Sequence, residues 1–437
     1  MVKSRQVEIL NKLNTPNTLN ITETIVETLG ALGNEQISSD APPPKILTTQ
    51  IPFLDPALRA WLEIDTVALL HNLQQLQALL SPSCELMAVV KADAYGHGAW
   101  GIAATILEHG VKSLAVATIS EGIELRQAGI KAPILILGSI ATPEAAASIV
   151  HHHLEPTISN IQQAQLFSDV IANFGKSNFG KSLPIHLNVD TGMSRLGTPW
   201  EQARELVQLV QTLPGLEIAS IYSHLATADE LNPAIRELQH DRFQQVIKGC
   251  QDLGLSPQVK FHLANSAGTL VDPALHYDRV RIGLALYGLS PAPHLESVIA
   301  LQPVMAVKAR VTLVKSLTAG TGVSYGYSFL APKDMTIAVI GIGYGDGVPR
   351  LLSNKMQVII RGQLVPQIGK ITMDQLMIDV STIPDLQPGE IVTLIGEDGA
   401  EKITAEDWAE AIETISWEIL CGFKSRLPRL ILGANKT

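Results

Sequence analysis

LMAVVKADAYGHG, residues 86–98, opens with five apolar residues in a row, changes character at Lys91 and ends among glycines. A short uninterrupted apolar run suits a strand buried on both faces, as in a parallel sheet. GIAATILEH (101–109) follows with apolar residues at helical spacing, and the pair then recurs along the chain. SLAVAT (113–118), PILILG (133–138), LEPTIS (154–159), IHLNVD (185–190), IASIYSHL (218–225), VKFHLA (259–264) and RVRIGLAL (279–286) are the further strand candidates. EGIELRQAG (121–129), PEAAASIVHHH (143–153), WEQARELVQLVQTL (200–213) and RFQQVIKGCQDLG (242–254) are helical segments between them. Eight strands alternating with helices predict an α/β fold built on a (β/α)8 TIM-type barrel, with an open doubly wound sheet as the fallback.

Upstream, WLEID (61–65) alternates like a strand, and TVALLHNLQQLQALL (66–80) is amphipathic behind Asp65, a candidate N-cap. The barrel domain is therefore expected over residues 58–300. Residues 1–57 read as a poorly ordered N-terminal extension, because NITETIVETLGALG (20–33) leads into the turn-rich SSDAPPPK (38–45). After Pro303 the texture becomes AVKARVTLVKSL (306–317), MTIAVIGIGYGDG (335–347), MQVIIRGQLVP (356–366), MIDVSTI (377–383) and EIVTLIG (390–396). These predict a mostly β C-terminal domain over 301–437, with one late helix near AEDWAEAIE (405–413).

The composition excludes several classes. Thirty-two Lys plus Arg against 42 Asp plus Glu give 32 − 42 = −10, a charge that repels nucleic acid and anionic lipid. No stretch approaches the roughly 18 apolar residues of a membrane span. Cys84, Cys250 and Cys421 are few, odd in number and far apart, so no disulfide framework is read. MVKSRQVEILNKLN lacks the apolar core of a secretory signal, and a cytoplasmic protein is expected.

In a barrel of this kind, reactive side chains gather at the C-terminal ends of the strands. Lys91 ends the first run, where desolvation lowers an amine's pKa and favours a nucleophilic amine, although a lone lysine there is more often a structural salt-bridge residue. VVKADAYGHG (89–98) closely resembles the pyridoxal-phosphate lysine motif of bacterial alanine racemases. NVDTGMSRLG (188–197), YSHLATADE (222–230), HLANSAG (262–268), VRIGLALYGL (280–289), VSYG (323–326), IGYGDG (342–347) and TMDQLM (372–377) resemble further blocks of that family in its order.

The resemblance implies a pyridoxal 5'-phosphate enzyme that interconverts L- and D-alanine, supplying D-alanine for peptidoglycan. In it, Lys91 would hold the cofactor as a Schiff base and act as the base on the D-alanine Cα–H. Tyr325, from a second subunit of a homodimer, would serve the L enantiomer, since racemisation needs a proton to leave one face and arrive on the other. His224 and Arg281 would support Tyr325, and Arg281 would face the pyridine nitrogen. The cofactor phosphate would meet the Tyr95 and Ser266 hydroxyls and the Gly283 and Leu284 N–H groups. The substrate carboxylate would meet Arg195 and the Met373 N–H, with Asp374 beside it and Tyr344 narrowing the entrance.

Two positions depart from the family pattern. Asn188 stands where many relatives carry a carbamylated lysine, leaving Arg195 to be positioned by the Asn188 amide or by an anion. Ser425 stands where many have a phosphate-binding tyrosine, which weakens the case for selectivity between alanine and serine. A broader serine/alanine racemase and a non-catalytic carrier of the cofactor are the alternatives, the C-terminal domain with Tyr325 speaking against the carrier. His151, His152 and His153 read as a solvated loop rather than a metal site, GIGYGDG does not open a helix as a dinucleotide motif would, and AEDWAEAIE reads as a solvated helix face.

Overall fold

Each of the eight apolar runs contributes a parallel strand in the computed structural model of the chain, which describes residues 55, 57–174 and 182–433. A first strand, β1 (Ala60–Asp65), leads into the helix Thr66–Ala78, and the Asp65 carboxylate caps it by accepting the Val67 and Ala68 N–H groups at 2.8 and 3.0 Å. The barrel strands are β2 (Glu85–Val89), β3 (Ser113–Val116), β4 (Ile134–Ile136), β5 (Glu155–Ile158), β6 (Leu183–Asp190), β7 (Leu216–Tyr222), β8 (Lys260–His262) and β9 (Arg279–Ile282). Their order is β9-β2-β3-β4-β5-β6-β7-β8. Asp278 N–H to the Phe261 carbonyl and Arg281 N–H to the Ala264 carbonyl, both 3.0 Å, bridge the seam between β8 and β9. First and last strands thus meet in a nearly closed barrel, which an open doubly wound sheet cannot do. Alternate residues of β2 serve two cores: Leu86 and Ala88 join the main core, while Met87 and Val89 form a separate cluster with Ala115 and Leu135.

The C-terminal unit contains β10 (Met305–Leu317), β11 (Met335–Ile340), β12 (Gln357–Ile360), β13 (Gln363–Ile368), β14 (Leu376–Asp379), β15 (Ile391–Asp398), β16 (Glu401–Ile403) and β17 (Arg429–Leu432). Its sheet runs β16-β15-β12-β13-β14-β11-β10-β1-β17, and β15 also pairs with β10, so the strands from β10 to β15 close into a ring. β1 therefore does not belong with the barrel, as the expected division at residue 58 had it. It lies antiparallel to β10, Ala60 opposite Ala309, and parallel to β17, Leu62 opposite Arg429. Alternation reveals a strand but not its partners, and burial of Trp61, Leu62 and Ile64 is achieved against the C-terminal sheet. The late helix is found at Ala405–Ala411, yet Trp408 and Ala409 are buried, so it is only in part a solvated face. A second helix, Ser416–Gly422, was not legible.

The expected N-terminal extension lies, but for Asp55 and Ala57, outside the described residues. Among the described residues no helix is long and apolar enough to cross a membrane.

Candidate active site

Lys91 stands at the C-terminal end of β2, and the chain then does something no helix propensity would suggest. Ala92, Asp93, Ala94 and Tyr95 take positive φ angles of 53, 55, 54 and 54°, one turn of left-handed helix. Such a conformation costs about 1–2 kcal/mol per non-glycine residue, so the surroundings must impose it. The Ala92 N–H donates to the Glu121 carboxylate at 2.6 Å, and Asp93 accepts the Ala99 N–H at 2.7 Å. Arg429, on β17, donates to Asp93 and to the Gly96 carbonyl, each at 3.0 Å. Gly96 is packed so closely on the Leu420 carbonyl that a Cβ has no room. The C-terminal unit thus clamps the segment that presents Lys91 and Tyr95.

Both side chains face a cavity of about 710 Å³ at the mouth of the barrel, which Asn188, Arg195, His224, Ser266, Arg281, Gly283 and Leu284 also line. At one end the Ser266 hydroxyl accepts the Gly283 and Ala285 N–H groups at 3.2 and 3.4 Å. Gly283 leaves space there: a Cβ would lie 2.7 Å from the Tyr95 hydroxyl. That hydroxyl makes no hydrogen bond to another described residue. Two hydroxyls, backbone N–H donors and a gap kept open by a missing Cβ are the requirements of a small phosphate pocket, and the lysine, phosphate pocket and guanidinium on one wall fit pyridoxal phosphate.

Arg281, fully buried on β9, marks the other end. Its Nη2 donates to the Ser223 carbonyl at 2.6 Å, the Leu263 carbonyl at 3.1 Å and His224 Nδ1 at 3.3 Å; its Nη1 donates to His262 Nδ1 at 2.8 Å. No carboxylate touches it among the described residues. The Nε–H is left as its one donor without an acceptor among the described residues. Burial pulls this guanidinium down to about 10, still charged at neutral pH. His224 is pushed down to about 3 by burial, then by Arg281, Arg195 and Lys91, so it is neutral. Lys91 is lowered by burial first and by Arg195 second. The site is thus a concentration of positive and desolvated groups in a chain of net charge −10.

The remaining anticipated residues are elsewhere. Tyr325 is 69% exposed on the C-terminal unit, in a turn pinned by the Ser324 hydroxyl to the Lys370 carbonyl at 2.6 Å. Tyr344 and Met373 are also exposed, and Asp374 pairs with Arg426. None lines the Lys91 cavity, and Tyr327, Leu330 and Leu351 lie exposed on the same unit. Ser425 is exposed and outside the lining; the C-terminal residues that do line it are Ile415, Trp417 and Cys421, which no sequence motif singled out. Asn188 is buried in the lining without a hydrogen bond to Arg195. A second cavity of about 430 Å³, lined by Glu63, Asp65, Glu397 and Glu406 against Lys308 and Lys402, carries the wrong charge for a phosphate.

Comparison with known proteins agrees with this geometry. Residues 64–291 match the alanine racemase N-terminal domain and residues 304–431 the alanine racemase C-terminal domain. The chain is 61% identical over 372 residues to the alanine racemase of Nostoc sp., covering 85% of this chain and 95% of that one, and 56% identical over 374 residues to that of Synechocystis sp., covering 86% and 99%. It is similar in structure to the alanine racemase of Clostridium difficile, with a TM-score of 0.80, 32% identity and coverage of 86% of this chain and 96% of that one. It is also similar to that of Bartonella henselae with covalently bound pyridoxal phosphate, with a TM-score of 0.75, 31% identity and coverage of 86% and 99%. With both domains matched in order over most of its length, this chain belongs to the pyridoxal-phosphate-dependent alanine racemase family.

Proposed function

We propose that the chain interconverts L- and D-alanine, supplying D-alanine for peptidoglycan, by two-base racemisation in a site completed by a second copy of itself. The observation that carries this reading is the division of the anticipated residues. Lys91, Arg195, His224 and Arg281 share one cavity, while Tyr325 stands exposed on the C-terminal unit with other uncovered apolar side chains around it. Exposed aromatic and apolar side chains of that number mark an interaction surface, and a two-fold dimer would bring one copy's C-terminal unit to the other's barrel.

Bound pyridoxal phosphate supplies the electron sink that acidifies the substrate Cα–H. Lys91 would hold it covalently, Tyr95, Ser266 and the Gly283 and Leu284 N–H groups would hold its phosphate, and the Arg281 Nε–H would meet its ring nitrogen. A permanent cation there cannot hand over a proton, which keeps the sink weak and disfavours side reactions. The lowered Lys91 amine is available as a base for the D-alanine Cα proton. Tyr325 of the second copy serves the opposite face. His224 accepts from Arg281 on Nδ1, so in its neutral form it carries its hydrogen on Nε2, from which it can stabilise a tyrosinate. Arg195 and the second copy's Met373 N–H would bind the carboxylate, with Asp374 and Tyr344 shaping the entrance.

Loss of optical rotation, followed separately for L-alanine and L-serine, tests the reading and its broader alternative. Tyr325→Phe should keep the bound cofactor's absorbance and lose racemisation in both directions; activity near wild type would reject its role.

A further inference from the structure

Four buried polar side chains and the partly buried Glu155, one from each of five adjacent barrel strands, form a single line of hydrogen bonds behind the cavity. Glu155 begins β5, His186 lies on β6, Ser220 on β7, His262 on β8 and Arg281 on β9. Glu155 Oε2 is 2.8 Å from His186 Nε2, and His186 Nδ1 is 2.6 Å from Ser220 Oγ. Ser220 Oγ is 2.8 Å from His262 Nε2, and His262 Nδ1 is 2.8 Å from Arg281 Nη1. His186, Ser220, His262 and Arg281 are all at least 96% buried, so a mismatched donor or acceptor there is costly.

The direction of this line is forced by its ends. A guanidinium is only a donor, an ionised carboxylate only an acceptor, a neutral imidazole one of each, and a hydroxyl one donor with two acceptor lone pairs. Arg281 therefore donates to His262 Nδ1, His262 Nε2–H to Ser220, the Ser220 O–H to His186 Nδ1, and His186 Nε2–H to Glu155. A hydrogen on His262 Nδ1 would face the Arg281 N–H across less than 3 Å, and a bare His186 Nε2 would face the Glu155 carboxylate, acceptor against acceptor. Burial and Arg281 hold His262 well below the usual histidine range. Burial raises the Glu155 carboxyl, but its bond to His186 and the nearby Arg279 and Arg126 bring it below its ordinary value, so it remains an acceptor.

From this geometry we infer that Glu155 is a positioning residue for the reaction: it fixes the Nε2–H tautomer of His186, which turns the Ser220 O–H towards His186 and leaves Ser220 to accept from His262, so that the ring which accepts from Arg281 is held in place behind the cavity. The link to catalysis rests on the proposed function; the tautomer pattern does not. Fixing an imidazole's tautomer through the partner of its other nitrogen is a general way of orienting a buried site. Here three side chains stand between the ordering group and the guanidinium it serves.

The test is nitrogen-15 NMR of the holoenzyme labelled at histidine, with His186 and His262 assigned by substitution. Both should be neutral with hydrogen on Nε2. Finding His262 protonated on Nδ1 overturns the inference without any variant of Glu155. Glu155→Gln keeps an acceptor oxygen and should preserve both tautomers and the cofactor absorbance. Glu155→Ala should give mixed tautomers at His186, a shifted cofactor absorbance and a kcat lower on the order of tenfold, with KM little changed. Equal behaviour of the two variants, or Glu155→Ala with wild-type tautomers, reduces Glu155 to a structural residue and refutes the proposal. The ordered tautomers in a protein that does not racemise alanine would uphold this wiring and reject the proposed function.

Discussion

Gly283→Ala tests the phosphate pocket through space and backbone together. Gly283 has φ −116° and ψ −89°, outside the regions alanine favours, so the substitution strains the backbone as well as filling the gap. The added methyl would sit 2.7 Å from the Tyr95 hydroxyl and 3.1 and 3.2 Å from two of its ring carbons. Tyr95 cannot easily yield, because its backbone is fixed in the left-handed turn and Tyr287 packs against its ring at 5.1 Å between centroids. The hydroxyl must leave the position from which it would hold phosphate. A hydrogen bond to a charged group contributes about 1.5–3 kcal/mol, so pyridoxal phosphate should bind roughly ten- to a hundredfold more weakly. The assay is a titration of cofactor-free protein followed by absorbance. Tyr95→Phe should weaken binding by a similar factor, and the double variant by less than the product of the two, because both act on one hydroxyl. A Gly283→Ala variant that binds the cofactor as wild type does would refute the assignment of this corner to phosphate.

The left-handed turn offers a different test. Ala92 is exposed at φ 53°, and Ala92→Gly removes about 1–2 kcal/mol of strain against a smaller loss of unfolded-chain restriction, so thermal unfolding should shift upward by the equivalent of about 0.5–1 kcal/mol; a clear fall would show that the turn is not strained. Acid should act through His97, buried and pushed down to about 4 from 6.5. Between those values the unfolded chain binds the proton and the folded chain does not, so stability is complete above pH 6.5 and falls as the pH drops toward 4, by about 2 kcal/mol at pH 5 from this group. Denaturant unfolding at pH 7 and pH 5 should show a smaller difference in His97→Gln; an unchanged difference would contradict the shift.

The barrel was legible because eight buried strands leave eight apolar runs, and Lys91 stood out as a charge at the end of one of them, whereas Arg281 was singled out only through the family resemblance. The partners of β1 were not, since pairing with β10 and β17 joins residues hundreds of positions apart. Nor was the conformation of KADAY, in which only Asp93 is of a type that tolerates positive φ and which is held there by Glu121 and Arg429. Ile415, Trp417 and Cys421 have no chemistry of their own to announce; the clamp between Gly96 and Leu420 brings their helix to the cavity. The line from Glu155 to Arg281 was equally hidden, because a histidine inside an apolar strand reads as a satisfied core residue until its neighbours across the sheet are known.

The central claim, a site assembled from two copies of this chain, is tested most directly by subunit mixing. Lys91→Ala and Tyr325→Phe proteins are each expected to be inactive, and mixing them under conditions of proven subunit exchange should restore racemisation of alanine, because a hybrid dimer holds one site with both bases intact. No recovery of activity in a population shown to contain hybrids would contradict the shared site.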